Sequence, residues 1–147
     1  DPETFAKQIP GQGNERFNWK MDALAAEHVV NSSPVPLHIS STGVDVRTGS
    51  SLSDLLPPDH PVRRAYEIYL GVPNKSRSSW DQIALLYAMN QDEPLFRVSS
   101  GYRIPYSAQE NLCSWIPGKS GRQDCFIELA VEEPDMADKI EALMSEF

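Results

Sequence analysis

The hydrophobic pattern changes period near Leu95, and that change constrains the fold more than any other feature of the sequence. Upstream, apolar residues recur at helical spacing. From Leu95 to Val131 they fall into short runs (Leu95-Phe96-Arg97-Val98, Tyr102-Arg103-Ile104, Cys125-Phe126-Ile127-Glu128-Leu129) separated by Gly, Ser and Asn. Helical spacing buries one stripe of a helix, whereas short runs between turn residues are the pattern of antiparallel strands. A chain of 147 residues that contains both reads as one mixed domain, or a piece of a larger one.

Residues 1–21 are rich in Gly, Gln, Asn and charge and read as an irregular lead, with 1–13 set apart as its opening segment. Asp22 suits an N-cap, and Ala25, Ala26, Val29 and Val30 give the stripe of a helix stopped by Ser32-Ser33-Pro34. Residues 35–40 suit a strand, 43–46 its continuation or return, and 49–51 a loop. A second helix starts at Asp59-His60-Pro61 and ends at Gly71, with Val62, Ala65, Tyr66, Tyr69 and Leu70 on one face. Ser78-Ser79-Trp80-Asp81 opens a third, running to Met89; it is apolar around most of its circumference and is expected to be buried. Pro134 begins a fourth, with Met136, Ile140, Leu143 and Met144 inward. The residues alone thus predict an α+β arrangement of about four helices around a few short strands. So little sheet for four helices leads us to expect packing against more sheet than the chain contains.

The net charge of −8 argues against a nucleic-acid partner, which needs a concentrated positive field. No apolar run approaches membrane-spanning length, so no membrane partner is expected. Asp1-Pro2-Glu3-Thr4 is neither a start methionine nor a basic leader, which reads as a processed product or fragment. Cys113 and Cys125 lie in a hairpin region; a local disulfide and two packed thiols both stay open, and with them a secreted or a cytoplasmic location.

Three local features carry chemistry. Glu15-Arg16-Phe17-Asn18-Trp19 joins an amide to aromatic faces, which suits a hydroxylated ring, or a loop that plugs the core. Asp81, in the first turn of the third helix where the helix dipole favours an anion, suits a hard-metal ligand or an ordinary helix-end residue. Asp45 is placed near a strand end, where a turn former also fits. His28, His38 and His60 are scattered over a helix, a strand and a cap, without zinc spacing.

In their order, these residues resemble the C-terminal half of the nucleoside hydrolase family, the inosine-uridine preferring N-ribohydrolases, over roughly residues 14–146. The resemblance rests on Arg16-Phe17-Asn18, Asp22-Ala23-Leu24-Ala25-Ala26, Val35-Pro36-Leu37, Val44-Asp45-Val46, Ser79-Trp80-Asp81-Gln82, Trp115, and Ile140-Glu141-Ala142-Leu143-Met144. It implies an α/β, Rossmann-like fold and hydrolysis of the N-glycosidic bond of a ribonucleoside or related glycoside. The cofactor implied is calcium, with Asp81 as a metal ligand and Asn18, Phe17, Trp80 and Arg16 around the substrate. The partners implied are a nucleoside or sugar, the missing N-terminal half and a second copy in a homo-oligomer. The family's N-terminal aspartate cluster is absent, Arg16 stands in place of a ribose-binding Glu, and Trp80 in place of a His. The Arg16 and Trp80 changes both remove a catalytic group and keep contact surface. A non-catalytic nucleoside- or sugar-binding domain is therefore the alternative.

Overall fold

The computed structural model describes residues 18–40, 42–89, 94–118 and 121–146. Its helices are α1 (Asn18–Met21), α2 (Ala23–Ser32), α3 (Leu52–Leu55), α4 (Pro61–Leu70), α5 (Trp80–Met89) and α6 (Glu133–Ser145). Its strands are β1 (His38–Ser40), β2 (Arg47–Thr48), β3 (Arg77–Ser78), β4 (Phe96–Arg103), β5 (Tyr106–Ser107), β6 (Leu112–Cys113), β7 (Ile116–Pro117) and β8 (Asp124–Leu129). The fold is mixed α/β. The four long helices stand where periodicity places them, and two one-turn helices join them. One of these, α1, forms inside the segment expected to be irregular.

The chain forms two compact units, one from Asp1–Ser41 and Val98–Ile127 and the other from Thr42–Arg97 and Glu128–Phe147. Strands β4 and β8 carry the chain from one unit into the other.

In the first unit, β1 pairs parallel with β8 (Ile39 opposite Phe126), and β4 pairs antiparallel with β7 (Tyr102 opposite Pro117), within a sheet ordered β1-β8-β4-β7. The core is Val30, Ile104, Tyr106, Cys113 and Phe126. Trp19 meets Tyr106 edge-on at 5.0 Å, and Trp115 stacks on Tyr102 at 4.3 Å. Helix α2 is capped as its sequence directs, with Asp22 accepting the Ala25 N–H at 3.0 Å. Only Val30 of its expected stripe is buried, while Ala25 and Val29 are exposed. The inner face has rotated because polar anchors set it. Asn31 exchanges two hydrogen bonds with the Tyr106 backbone, and Glu27 accepts the Ala108 N–H.

One carboxylate ties this unit together. Asp124, fully buried, accepts the backbone N–H groups of Leu37 and Ile104 and a bond from Arg122 Nη2, each at 3.0 Å. Arg122 Nε lies 2.8 Å from the other carboxylate oxygen, an ion-pair distance without hydrogen-bond alignment. The same guanidinium donates to the Val30 and Ser33 carbonyls, which close the C-terminal end of α2.

In the second unit, Val46, Ile83, Leu86, Met136 and Ile140 form the core, with Tyr87 edge-on to Phe96 at 5.3 Å. Helix α6 buries Met136 and Ile140 as its spacing predicts. Helix α5 departs from expectation. Ile83, Leu86 and Tyr87 are buried, but Leu85 and Met89 are 62% and 74% exposed, so it packs on one side only. The 43–46 segment is neither continuation nor return of β1; pairing starts at Arg47, opposite Ser78.

Cys113 and Cys125 are free thiols. Cys113 packs in the core that contains Phe126, and successive residues of a strand face opposite ways, so Cys125 is directed away from that core. Burial pushes the Cys113 thiol up from 9.0 to about 12, and burial, with the Asp124 charge second, raises that of Cys125. At about pH 8 Cys113 is expected to resist alkylation in the folded protein, and both thiols to react in denaturant without reductant. Mass spectrometry of the alkylated chain checks this; modification only after reduction would reveal a disulfide. The raised thiol also favours folding fully below the unfolded value near 9 and loses that contribution as pH climbs toward 12.

Candidate functional site

The N-terminal end of α5 is built by its neighbours. Gly43 sits at φ 122°, and its carbonyl accepts the Ser79 N–H at 3.0 Å. A side chain there would bring Cβ within 2.8 Å of the Trp80 Cα, so only glycine lets the backbone lie against this helix end. Ser78 Oγ donates to the Val44 carbonyl at 2.7 Å. Ser79, fully buried, shares a 2.7 Å hydroxyl bond with Thr48, which also meets the Tyr66 hydroxyl at 2.8 Å. Tyr66 in turn accepts from Gln82 Nε2 at 3.2 Å. This hydroxyl chain fixes the first turn of α5, and from it Trp80 and Asp81 stand out: Trp80 is 46% exposed and Asp81 is exposed.

The turn behind Thr48 is held from α6. Glu141, buried and 8% exposed, accepts the Gly49 N–H and the Ser51 hydroxyl. The carboxylate thus pins the two residues that lead into α3, satisfying donors of the turn. Its position among Met136, Ile140 and Leu143 gives no hint of this, because an acid on an amphipathic helix ordinarily faces water.

The face of α4 is also rotated from its predicted position. Tyr69 is 69% exposed and Ala65 exposed, while Arg63 and Glu67 take inner places. Arg63 pairs with Glu67 at 2.7 Å and donates to the Ser53 and Leu56 carbonyls; the Arg63 hydrogen bond holds the Glu67 carboxyl below its ordinary value. Arg77 of β3 lies 4.4 Å over the Tyr69 ring.

The sequence-predicted residues separate as follows. Trp80 and Asp81 are brought together on α5 in the second unit. Asn18 opens α1 and belongs to the first unit, and Trp19 beside it packs into that unit's core. Arg16 and Phe17 lie outside the described residues. Asp45 is exposed in the bend between β1 and β2 rather than at a strand end. His28, His38 and His60 take the helix, strand and cap positions expected of them. Among the described residues, no three His, Cys, Asp or Glu side chains are grouped to hold a metal ion, and no helix is long and apolar enough to cross a membrane.

No protein-family model, curated protein or solved structure matches the chain.

Proposed function

We propose that this chain is the C-terminal portion of a nucleoside-hydrolase-like protein of Rossmann-like α/β fold, which cleaves the N-glycosidic bond of a ribonucleoside or related glycoside. The observation that carries the proposal is the Trp80–Asp81 pair, displayed at the start of α5 by the close approach of Gly43 and by the Thr48–Ser79 bond. An indole face covers the apolar side of a sugar or base, and a carboxylate accepts from sugar hydroxyls. Such a grip favours a ring on which positive charge develops as the glycosidic bond breaks. Asn18, Phe17 and Arg16 enter this reading only through the family resemblance.

Calcium takes about six to eight oxygen ligands. Asp81 supplies one carboxylate, and the described residues group no others with it. They do not fit calcium by themselves, and on this proposal the remaining ligands lie outside them. The same observation favours a second reading, a nucleoside- or sugar-binding domain without catalysis, in which Trp80 stacks and nothing protonates a leaving group.

Calorimetric titration of the 147-residue chain with inosine, uridine and ribose tests the site. Binding is expected, with Asp81→Ala and Trp80→Ala each weakening it by about tenfold or more and His60→Ala leaving it unchanged. Ribose release is expected to be absent with or without added calcium. In a longer form that carries the aspartate cluster, Asp81→Ala abolishes release and His60→Ala does not. Equal behaviour of the Asp81 and His60 variants would overturn the assignment, and turnover by the 147-residue chain would overturn its incompleteness.

A further inference from the structure

Beside the hydroxyl chain, Ala65, Tyr66, Tyr69, Arg77 and Gln82 line an open hollow of about 270 Å3. Its cation is poised unlike its neighbours. Arg47 is used up on the Ser76 and Ser78 oxygens, and Arg63 on Glu67 and two carbonyls. Among the described residues, the Arg77 guanidinium donates to no protein acceptor; it is held by its cation–π contact over Tyr69. That contact holds the cation against the ring face and leaves its N–H groups free to meet an anion. The floor is fixed as well, because Tyr66 is tied to both Thr48 and Gln82.

The local charge points the same way. The chain is acidic overall, at −8, yet residues 59–82 hold Arg63, Arg64, Lys75 and Arg77 against Asp59, Glu67 and Asp81, a local excess of positive charge. A sugar hydroxyl can accept from a guanidinium, but a phosphate adds its charge and can accept two parallel N–H bonds, so it is the stronger match. The volume lies just under the range of roughly 300–1,000 Å3 that holds drug-sized ligands, which suits a fragment of sugar-phosphate size.

We infer that this hollow binds the phosphate of a small phosphomonoester, a sugar phosphate or nucleoside monophosphate, with Arg77 as the anion clamp and Tyr69 as its backing. The sugar half of that ligand rests on the Trp80–Asp81 proposal, since Gln82 follows Asp81 on α5. The phosphate half stands without it.

The test is NMR titration of the 147-residue chain at low salt with ribose 5-phosphate, ribose and inorganic phosphate, reading the Arg77 Nε–H and Gln82 amide signals. Ribose 5-phosphate is expected to bind about tenfold tighter than ribose. Arg77→Gln should erase that preference, and Arg77→Lys should restore part of it. Raising sodium chloride from about 20 to about 300 mM should weaken the phosphorylated sugar alone. Inorganic phosphate should move the same two signals in the wild type and in Trp80→Ala. Equal affinity for ribose and ribose 5-phosphate, a preference that survives Arg77→Gln, or an Arg77 signal unmoved by inorganic phosphate would each overturn the inference. Should Trp80→Ala and Asp81→Ala leave ribose 5-phosphate binding intact, the nucleoside site fails and the anion hollow stands.

Discussion

Replacing Asp124 with alanine is expected to cost about 3–5 kcal/mol, the cost of leaving one member of a buried ion pair without its partner. That is a large share of the roughly 5–15 kcal/mol that holds an ordinary domain together. The side chain is fully buried and serves the Leu37 N–H, the Ile104 N–H and Arg122 at once. Its loss strands two backbone donors and a guanidinium whose side chain is only 5% exposed. Asp124→Asn keeps an acceptor but loses the charge, so it should fall between wild type and alanine. Arg122→Leu leaves the two backbone bonds in place but takes the guanidinium from the buried Asp124 charge, with Arg103 Nε 3.8 Å away as its remaining cation, and uncaps the α2 carbonyls of Val30 and Ser33. Denaturant unfolding of the three variants gives the order. Hydrogen exchange adds a local check, since the Leu37 and Ile104 amides should lose protection first in Asp124→Ala. A cost under about 1 kcal/mol for that variant would show that the carboxylate is not the tie described here.

Neither this tie nor the Glu141 clamp was legible from the sequence, and the reason is physical. Periodicity reports which residues prefer to leave water, and it placed α2, α4, α5 and α6 within a few residues. It says nothing of the direction in which a polar anchor turns a helix. Asn31 and Glu27 rotate α2 away from its apolar stripe, and Arg63 and Glu67 do the same to α4. In α5 an unbroken apolar run suggested full burial, but neighbours cover only the side that holds Ile83, Leu86 and Tyr87. The single long strand β4 was read as two short ones because Gly101, at φ 93°, interrupts the apolar pattern without ending the strand. Of the candidate site, Trp80 and Asp81 could be placed at a helix start from Ser78-Ser79 and the apolar run that follows. Arg77 could not be singled out, because its cation–π contact with Tyr69 joins residues of different elements and leaves no local signature.

Gly49 is where the second unit should tolerate least. Gly49→Ala is expected to lose about 3 kcal/mol or more, the sum of backbone strain and overpacking. At φ 120° the residue occupies backbone space that side chains rarely enter, and an added Cβ would stand 2.4 Å from the Tyr66 ring and 2.7 Å from the Lys75 carbonyl. The ring can yield only by breaking from Thr48 and Gln82, and the carbonyl is backbone. Glu141 blocks the other escape, since it holds the Gly49 N–H from α6. Gly71 provides the control. It ends α4 at φ 79° with nothing within 4 Å of a Cβ, so Gly71→Ala should cost about 1–2 kcal/mol, the left-handed conformation alone. Thermal or urea unfolding separates the two. Equal losses at Gly49 and Gly71 would mean that the Tyr66 approach contributes nothing beyond φ. A larger loss at Gly49, accompanied by altered Gln82 side-chain amide signals, would show that the strain reaches the first turn of α5, on which Trp80 and Asp81 are carried.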